Sequence, residues 1–210
     1  MSLPSLDLLD RWTALAGADT APIGAGIIAR YAEPHRRYHT GTHLGAMLEA
    51  IDELSAAASD ITAVRYAAFF HDAIYAVDRA DNEERSADLG RDILESLGAT
   101  PALVGEVVRL VVLTRGHDPE AGDANGAVLC DADLVVLGGT PEAYAAYAVA
   151  VRAEYSHVPD DLFRAGRASV LRNLARQPRL YRTALAHDRY EQRARANLAA
   201  ELADLTAATA

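Results

Sequence analysis

The stretch Ala67-Ala68-Phe69-Phe70-His71-Asp72 decides the reading of this chain. An apolar helical run ends there in an adjacent histidine and aspartate, a pair that packing alone does not explain. An ionised carboxylate in an apolar interior costs roughly several kcal/mol unless it is paired or metal-bound. Histidine and aspartate are both ligands for divalent cations. With 3.6 residues per turn, neighbouring side chains leave a helix roughly 100° apart, so both can reach one ion lying in the angle between them.

Working outward, the pattern is helical nearly throughout. The helix with the doublet is expected from Asp60 to about Tyr75. Before it, apolar residues recur at helical spacing from Thr42 to Ala58 (Leu44, Met47, Leu48, Ile51, Leu54). Two short helices are expected at Leu6–Ala16 and Ile23–Ala32, the second stopped by Pro34. After the doublet, Asp81 reads as an N-cap, with Glu84 completing a capping box for a helix that stops at Gly98. Thr100-Pro101 opens a helix to about Thr114, and Thr140-Pro141-Glu142 opens another to about His157. Between them lie a polar loop, Arg115–Asn125, and a helix, Gly126–Leu137. The β-branched run Val107–Leu113 tempts a strand assignment, but its capped start and its length favour helix. Further helices complete the chain, broken at Pro178, and residues 206–210 read as a frayed tail.

The expected fold is therefore all-α: one domain over 210 residues, with a core at about 30–140 and additional C-terminal helices at about 140–205. The single cysteine, Cys130, excludes an internal disulfide and a cysteine-only zinc site, and it suits a reducing cytoplasm. No signal peptide and no stretch of transmembrane length is apparent, so neither export nor a membrane partner is expected. The formal net charge is −10, which argues against a long nucleic acid as partner. Nine arginines between Arg164 and Arg195 face only Asp188 and Glu191, leaving capture of a small anion open. Apolar helical faces are compatible with a homodimer.

Two further groups stand out. Asp133 shares its helical face with Leu129, Val136 and Leu137, so it needs a cation or strong donors; Asp131 points elsewhere and is the weaker candidate. His39 and His43 are four apart, a spacing that can set two imidazoles on one face.

The ordered set His43, His71-Asp72, Asp133 resembles the HD superfamily of metal-dependent phosphohydrolases. More narrowly, the chain is similar to a bacterial subgroup of predicted HD phosphohydrolases over roughly residues 30–200. The similarity is carried by Tyr31-Ala32-Glu33-Pro34-His35-Arg36-Arg37-Tyr38-His39-Thr40-Gly41-Thr42-His43, by Phe70-His71-Asp72-Ala73-Ile74-Tyr75, by Asp81-Asn82-Glu83-Glu84-Arg85-Ser86-Ala87 and by Asp131-Ala132-Asp133-Leu134. Arg152-Ala153-Glu154-Tyr155, Gly166-Arg167 and Glu191–Asn197 extend it. The resemblance implies an HD-like helical bundle around one divalent metal ion held by His43, His71, Asp72 and Asp133. Two histidines and two carboxylates suit Mn²⁺, Fe²⁺, Co²⁺, Ni²⁺ or Mg²⁺ better than a closed structural zinc site.

It also implies hydrolysis of a phosphomonoester or pyrophosphate bond by a metal-activated water, on a small phosphorylated substrate such as a nucleotide. Glu83 is the first candidate to orient that water or take its proton, with Asp78 and Glu84 behind it. Arg36, Tyr38, His39 and His117 are the expected substrate-side groups, with Arg167 and Arg195 as more distant contributors. His117 is also the one residue placed to bind a second metal. Two alternatives stand beside this reading: a non-catalytic metal- or nucleotide-binding module, and a diiron oxygenase on the same scaffold. Alarmone pyrophosphohydrolases follow the doublet closely with a Glu-Asp pair; here Ala73-Ile74-Tyr75-Ala76-Val77 occupies that stretch, which argues against their specific activity.

Overall fold

A computed structural model describes residues 4–207, and the side chains of residues 7–207. Ten α-helices follow one another: α1 Pro4–Ala16, α2 Ala21–Arg30, α3 Gly41–Leu54, α4 Ile61–Phe70, α5 Asn82–Ser96, α6 Pro101–Leu113, α7 Ala124–Asp133, α8 Pro141–Glu154, α9 Asp160–Arg176 and α10 Ala184–Ala207. Short 3₁₀ turns follow α1, α3 and α7, and no strand occurs among the described residues. The fold is all-α, as the periodicity requires. Residues 206 and 207 close α10 rather than fray from it, and 208–210 lie outside the described residues.

The centre is α4. Ala63, Val64, Tyr66, Ala67, Ala68, Phe69 and Phe70 are all buried, and a helix apolar on every side can only sit inside the fold. It packs against α1, α2, α3, α5, α6 and α7. Trp12 of α1 stands edge-on to Tyr66, Phe69 and Phe70, with ring centroids 5.9, 5.2 and 6.0 Å apart. Its indole N–H donates to Thr20 Oγ1 at 2.9 Å. Buried apolar residues from Leu8 to Leu198 form one cluster. The outer layer is α8, α9 and α10. There the 3₁₀ segment Leu134–Gly138 lies on α10, and Gly138 comes so close that an added Cβ would stand 2.5 Å from Tyr190 Cβ.

Two expected boundaries and one expected cap are corrected. The doublet's helix ends at Phe70, not Tyr75, because side chains take over the next backbone groups. Ser86 Oγ accepts from Ile74 N at 2.9 Å, and the Asn82 side chain bonds both the N–H and the C=O of Ala76. The capping box at Asp81 is not made. Arg79 grips the Asp81 carboxylate at 2.7 and 2.6 Å, and Glu84 pairs with Arg115 instead. The helix expected over Gly126–Leu137 starts at Ala124 and tightens to 3₁₀ after Asp133. The other proline and threonine starts hold: Thr100 and Thr140 accept from Leu103 N and Ala143 N.

Candidate metal centre

Three segments bring the predicted ligands together. His43 lies in the first turn of α3, His71 closes α4, Asp72 is the next residue, and Asp133 ends α7. His43 Nε2 stands 3.2 Å from His71 Nε2 and 3.1 Å from Asp133 Oδ1. His71 Nε2 is 3.0 Å from Asp72 Oδ2. The longer edges are 3.9 Å from His71 to Asp133 and 4.0 Å from His43 to Asp72. An octahedral ion with bonds of roughly 2.1 Å keeps neighbouring ligands roughly 3.0 Å apart and opposite ones roughly 4.2 Å. The edges among His43, His71 and Asp133, and those from Asp72 to the two histidines, fall in that range, whereas Asp72 stands outside the group whose atoms all lie close to one another. His43, His71 and Asp133 each offer an atom within 4.8 Å of the others, so this group can hold a metal ion.

The donors are also prepared for a cation. Ala68 O accepts from His71 Nδ1 at 2.8 Å, which leaves Nε2 as the ligating nitrogen. Burial opposes a charged His71, yet the Asp72 carboxylate beside it raises its pKa to about 9, so without a metal Nε2 holds a proton that a bound cation must displace. Burial likewise opposes the Asp133 charge, but hydrogen bonds from His117 and His43 hold it well below the usual carboxylate range. Asp72 is likewise lowered against its burial, by the nearby charges of His71 and His39 and by a hydrogen bond from His71. The cluster thus carries two carboxylates kept ionised in a buried place, a charge that a divalent cation neutralises.

The cluster faces a cavity of about 710 Å³. Tyr38, His39, Glu83 and His117 line it. Glu83 sits 3.5 Å from Arg115 Nε, and Arg115 lines the cavity too. His117 Nε2 donates to Asp133 Oδ2 at 2.7 Å, so the two oxygens of Asp133 serve different partners. Its φ of +48° is the one positive value at a non-glycine among the described residues, a left-handed conformation that costs roughly 1 kcal/mol or more. Where the C-terminal helices line the cavity, apolar residues stand beside Arg167, Asn173 and Gln177. There α9 presents Phe163, Val170 and Leu174, and α8 presents Val151.

Other expected site residues fall elsewhere. Arg36 does not face the cavity. Its side chain is fully buried, with donors on the carbonyl oxygens of Asp72 (2.8 Å), His39 (3.1 Å) and Ala73 (3.4 Å) and on Glu33. Its guanidinium also lies over the rings of Tyr31 and Tyr75. Those bonds occupy the fork that a phosphate would need, so Arg36 is a clasp between two ligand-bearing segments. Asp78 is exposed on the loop after the doublet and lies outside the cavity lining. Arg167 lines the cavity but is bound to Glu201 and Tyr147. Arg195 binds Glu191 and the carbonyls that end α9. Asp131 is buried, accepting from Arg182 N, Thr183 N and Thr183 Oγ1 at the start of α10.

One residue of the site was missed. Glu154, quoted only as part of a motif, has a fully buried carboxylate that holds the loop before α3. The signal was its place at the C-terminal end of a helix, where the helix dipole disfavours an anion unless a partner holds it.

Comparisons with family models, with curated proteins and with solved structures return no match for this chain. Among the described residues no single helix is long and apolar enough to cross a membrane.

Proposed function

We propose that this chain is an HD-type, divalent-metal-dependent phosphohydrolase acting on a small phosphorylated substrate, with a nucleotide as the class tested first. The observation that supports it best is the convergence of His43 Nε2, His71 Nε2 and Asp133 Oδ1, with Asp72 Oδ2 beside the two histidines, next to a cavity that His71, Asp72 and Asp133 line. An ion bound there, Mn²⁺, Fe²⁺, Co²⁺, Ni²⁺ or Mg²⁺ by donor chemistry, supplies Lewis acidity toward a phosphoryl oxygen and lowers the pKa of bound water.

The chain's own groups supply the rest. Glu83, held beside Arg115, is the cavity carboxylate free to orient a water or take its proton. Arg115 and His117 offer positive or donor groups to a phosphate. The cavity is far larger than a phosphate ion, and the apolar residues that α8 and α9 present to it fit an organic substituent on the ester. The buried free thiol of Cys130 is in keeping with a reducing cytoplasm.

A two-metal variant has one observation in its favour. Asp133 turns Oδ1 toward His43 and Oδ2 toward His117, as a bridging carboxylate would. Elemental analysis of wild type and of the His71→Ala/Asp72→Ala variant tests both. About one ion per chain, absent from the variant, supports the single-metal reading and fixes the metal for a phosphate-release screen. About two ions make His117 a ligand and reopen the diiron oxygenase alternative. No ion after reconstitution refutes the proposal.

A further inference from the structure

Glu154 collects five donors. Its Oε1 accepts from three successive backbone N–H groups, Arg37 and Tyr38 at 2.8 Å and His39 at 2.9 Å. Its Oε2 accepts from His39 Nδ1 at 2.7 Å and from Tyr75 O–H at 3.1 Å. The His39 ring is confined between Tyr38 (centroids 4.8 Å apart) and Tyr75 (4.3 Å). Glu154 binds Nδ1, so Nε2 is the ring's remaining nitrogen. Nε2 has no hydrogen-bond partner among the described residues, on a side chain that lines the same cavity as His71, Asp72 and Asp133.

We propose that Glu154 and His39 form a carboxylate–imidazole dyad in which Glu154 is a positioning residue and His39 Nε2 hydrogen-bonds a phosphoryl oxygen of the substrate. The inference rests on the phosphohydrolase reading above and assigns it a substrate contact. The observation behind the assignment is that His39 lines the cavity with Nδ1 held by Glu154 and Nε2 left without a hydrogen-bond partner among the described residues. The contact forms whichever side provides its proton, because phosphate esters carry one with a pKa near ~6 and imidazole can carry a second. The carboxylate behind Nδ1 strengthens the bond by supporting positive charge on the ring. The three backbone bonds make the orientation stiff, because the loop that carries His39 is pinned to the same oxygen pair.

The test is titration of inorganic phosphate into the metal-loaded full chain, for wild type, His39→Ala, Glu154→Gln and the double variant. Metal content, melting temperature and His39 ¹⁵N spectra are recorded alongside. His39→Ala is expected to weaken phosphate about tenfold, the scale of one charge-assisted hydrogen bond. Glu154→Gln should weaken it by a smaller factor, because the ring keeps a donor on Nε2 but loses the carboxylate behind it, and it should move the His39 proton off Nδ1 and leave metal content unchanged. In the His39→Ala background it should add nothing.

Unchanged affinity in His39→Ala overturns the proposal, and because that residue is partly exposed the variant stays decisive even if Glu154→Gln fails to fold. An equal loss from Glu154→Gln with and without His39 also overturns it, since Glu154 would then act on the loop alone. Wild type that takes up metal but binds no phosphate, while its ¹⁵N spectra show the dyad intact, refutes the hydrolase reading and removes the substrate role with it.

Discussion

Replacing Arg36 separates the two accounts of that residue. As a phosphate ligand, its loss would raise KM and leave the fold alone. The structure demands the opposite. The guanidinium is fully buried, bonded to the carbonyl oxygens of His39, Asp72 and Ala73, and set between the rings of Tyr31 and Tyr75. In Arg36→Ala those three carbonyls lose their charged donor and a cavity opens against two aromatic rings. An unsatisfied buried group costs roughly 1–3 kcal/mol, and the cavity left by truncating a buried side chain roughly 2–5 kcal/mol, while Glu33 is already part-exposed and strands no buried charge. Water can reach the freed carbonyls of a surface loop, so about 3–4 kcal/mol is the expected net loss. For a chain of this length each kcal/mol lowers Tm by roughly 2–4 °C, giving a drop of roughly 6–16 °C. Arg36→Met, which refills the volume without the donors, should recover only the packing part. Urea unfolding and thermal melts of metal-free protein measure both variants. A melting temperature within about 2 °C of wild type for Arg36→Ala would refute the clasp and restore the substrate role.

Other expectations follow from single contacts. Asp133→Asn should cut metal affinity more than about tenfold, while Asp131→Asn should keep the metal and cost about 2–3 kcal/mol through the start of α10; metal analysis and urea melts tell them apart. The hydrogen bonds to Glu154 overcome its burial and lower its pKa from 4.5 to about 2. Its stabilisation is therefore complete above pH 4.5 and lost as the pH falls through 4.5 toward 2. Across that window metal-free wild type should lose on the order of 3 kcal/mol that Glu154→Gln never had, as urea melts at a series of pH values would show. Gly138→Ala should destabilise by about 1–3 kcal/mol, because its Cβ would stand 2.5 Å from Tyr190 Cβ and 3.0 Å from Tyr190 Cα. Melting curves with unaltered metal content would check it.

What the sequence disclosed was whatever has local causes. Helix starts at Thr100-Pro101 and Thr140-Pro141 are settled by one side chain and one ring, so they were legible. The ligand residues were legible too, because polar groups next to apolar runs demand partners wherever the chain goes. Helix ends were harder. Phe70 ends α4 only because Ser86 and Asn82, on the following helix, satisfy the loop backbone, a contact that no local pattern discloses. Arg36 and Arg37 look alike in sequence, yet one is a buried clasp and the other largely exposed. That choice is made by Asp72 and Ala73, 36 and 37 residues away.

Three buried ions whose structural role the sequence did not disclose share a logic. Arg36 takes the carbonyls after the doublet, Glu154 takes the N–H groups of residues 37–39, and Asp131 takes those of 182 and 183. Each burial carries a desolvation cost that only a saturated set of bonds offsets, so any other packing of these helices strands an ion. Arg36 and Glu154 act on the same short loop with opposite charges. One ties it to the segment of His71 and Asp72, and the other ties it to α8. Two residues beyond that loop α3 begins, carrying His43. The spacing of the metal ligands therefore depends on a carboxylate 111 positions after His43, and α8 belongs to the site as much as α4 does.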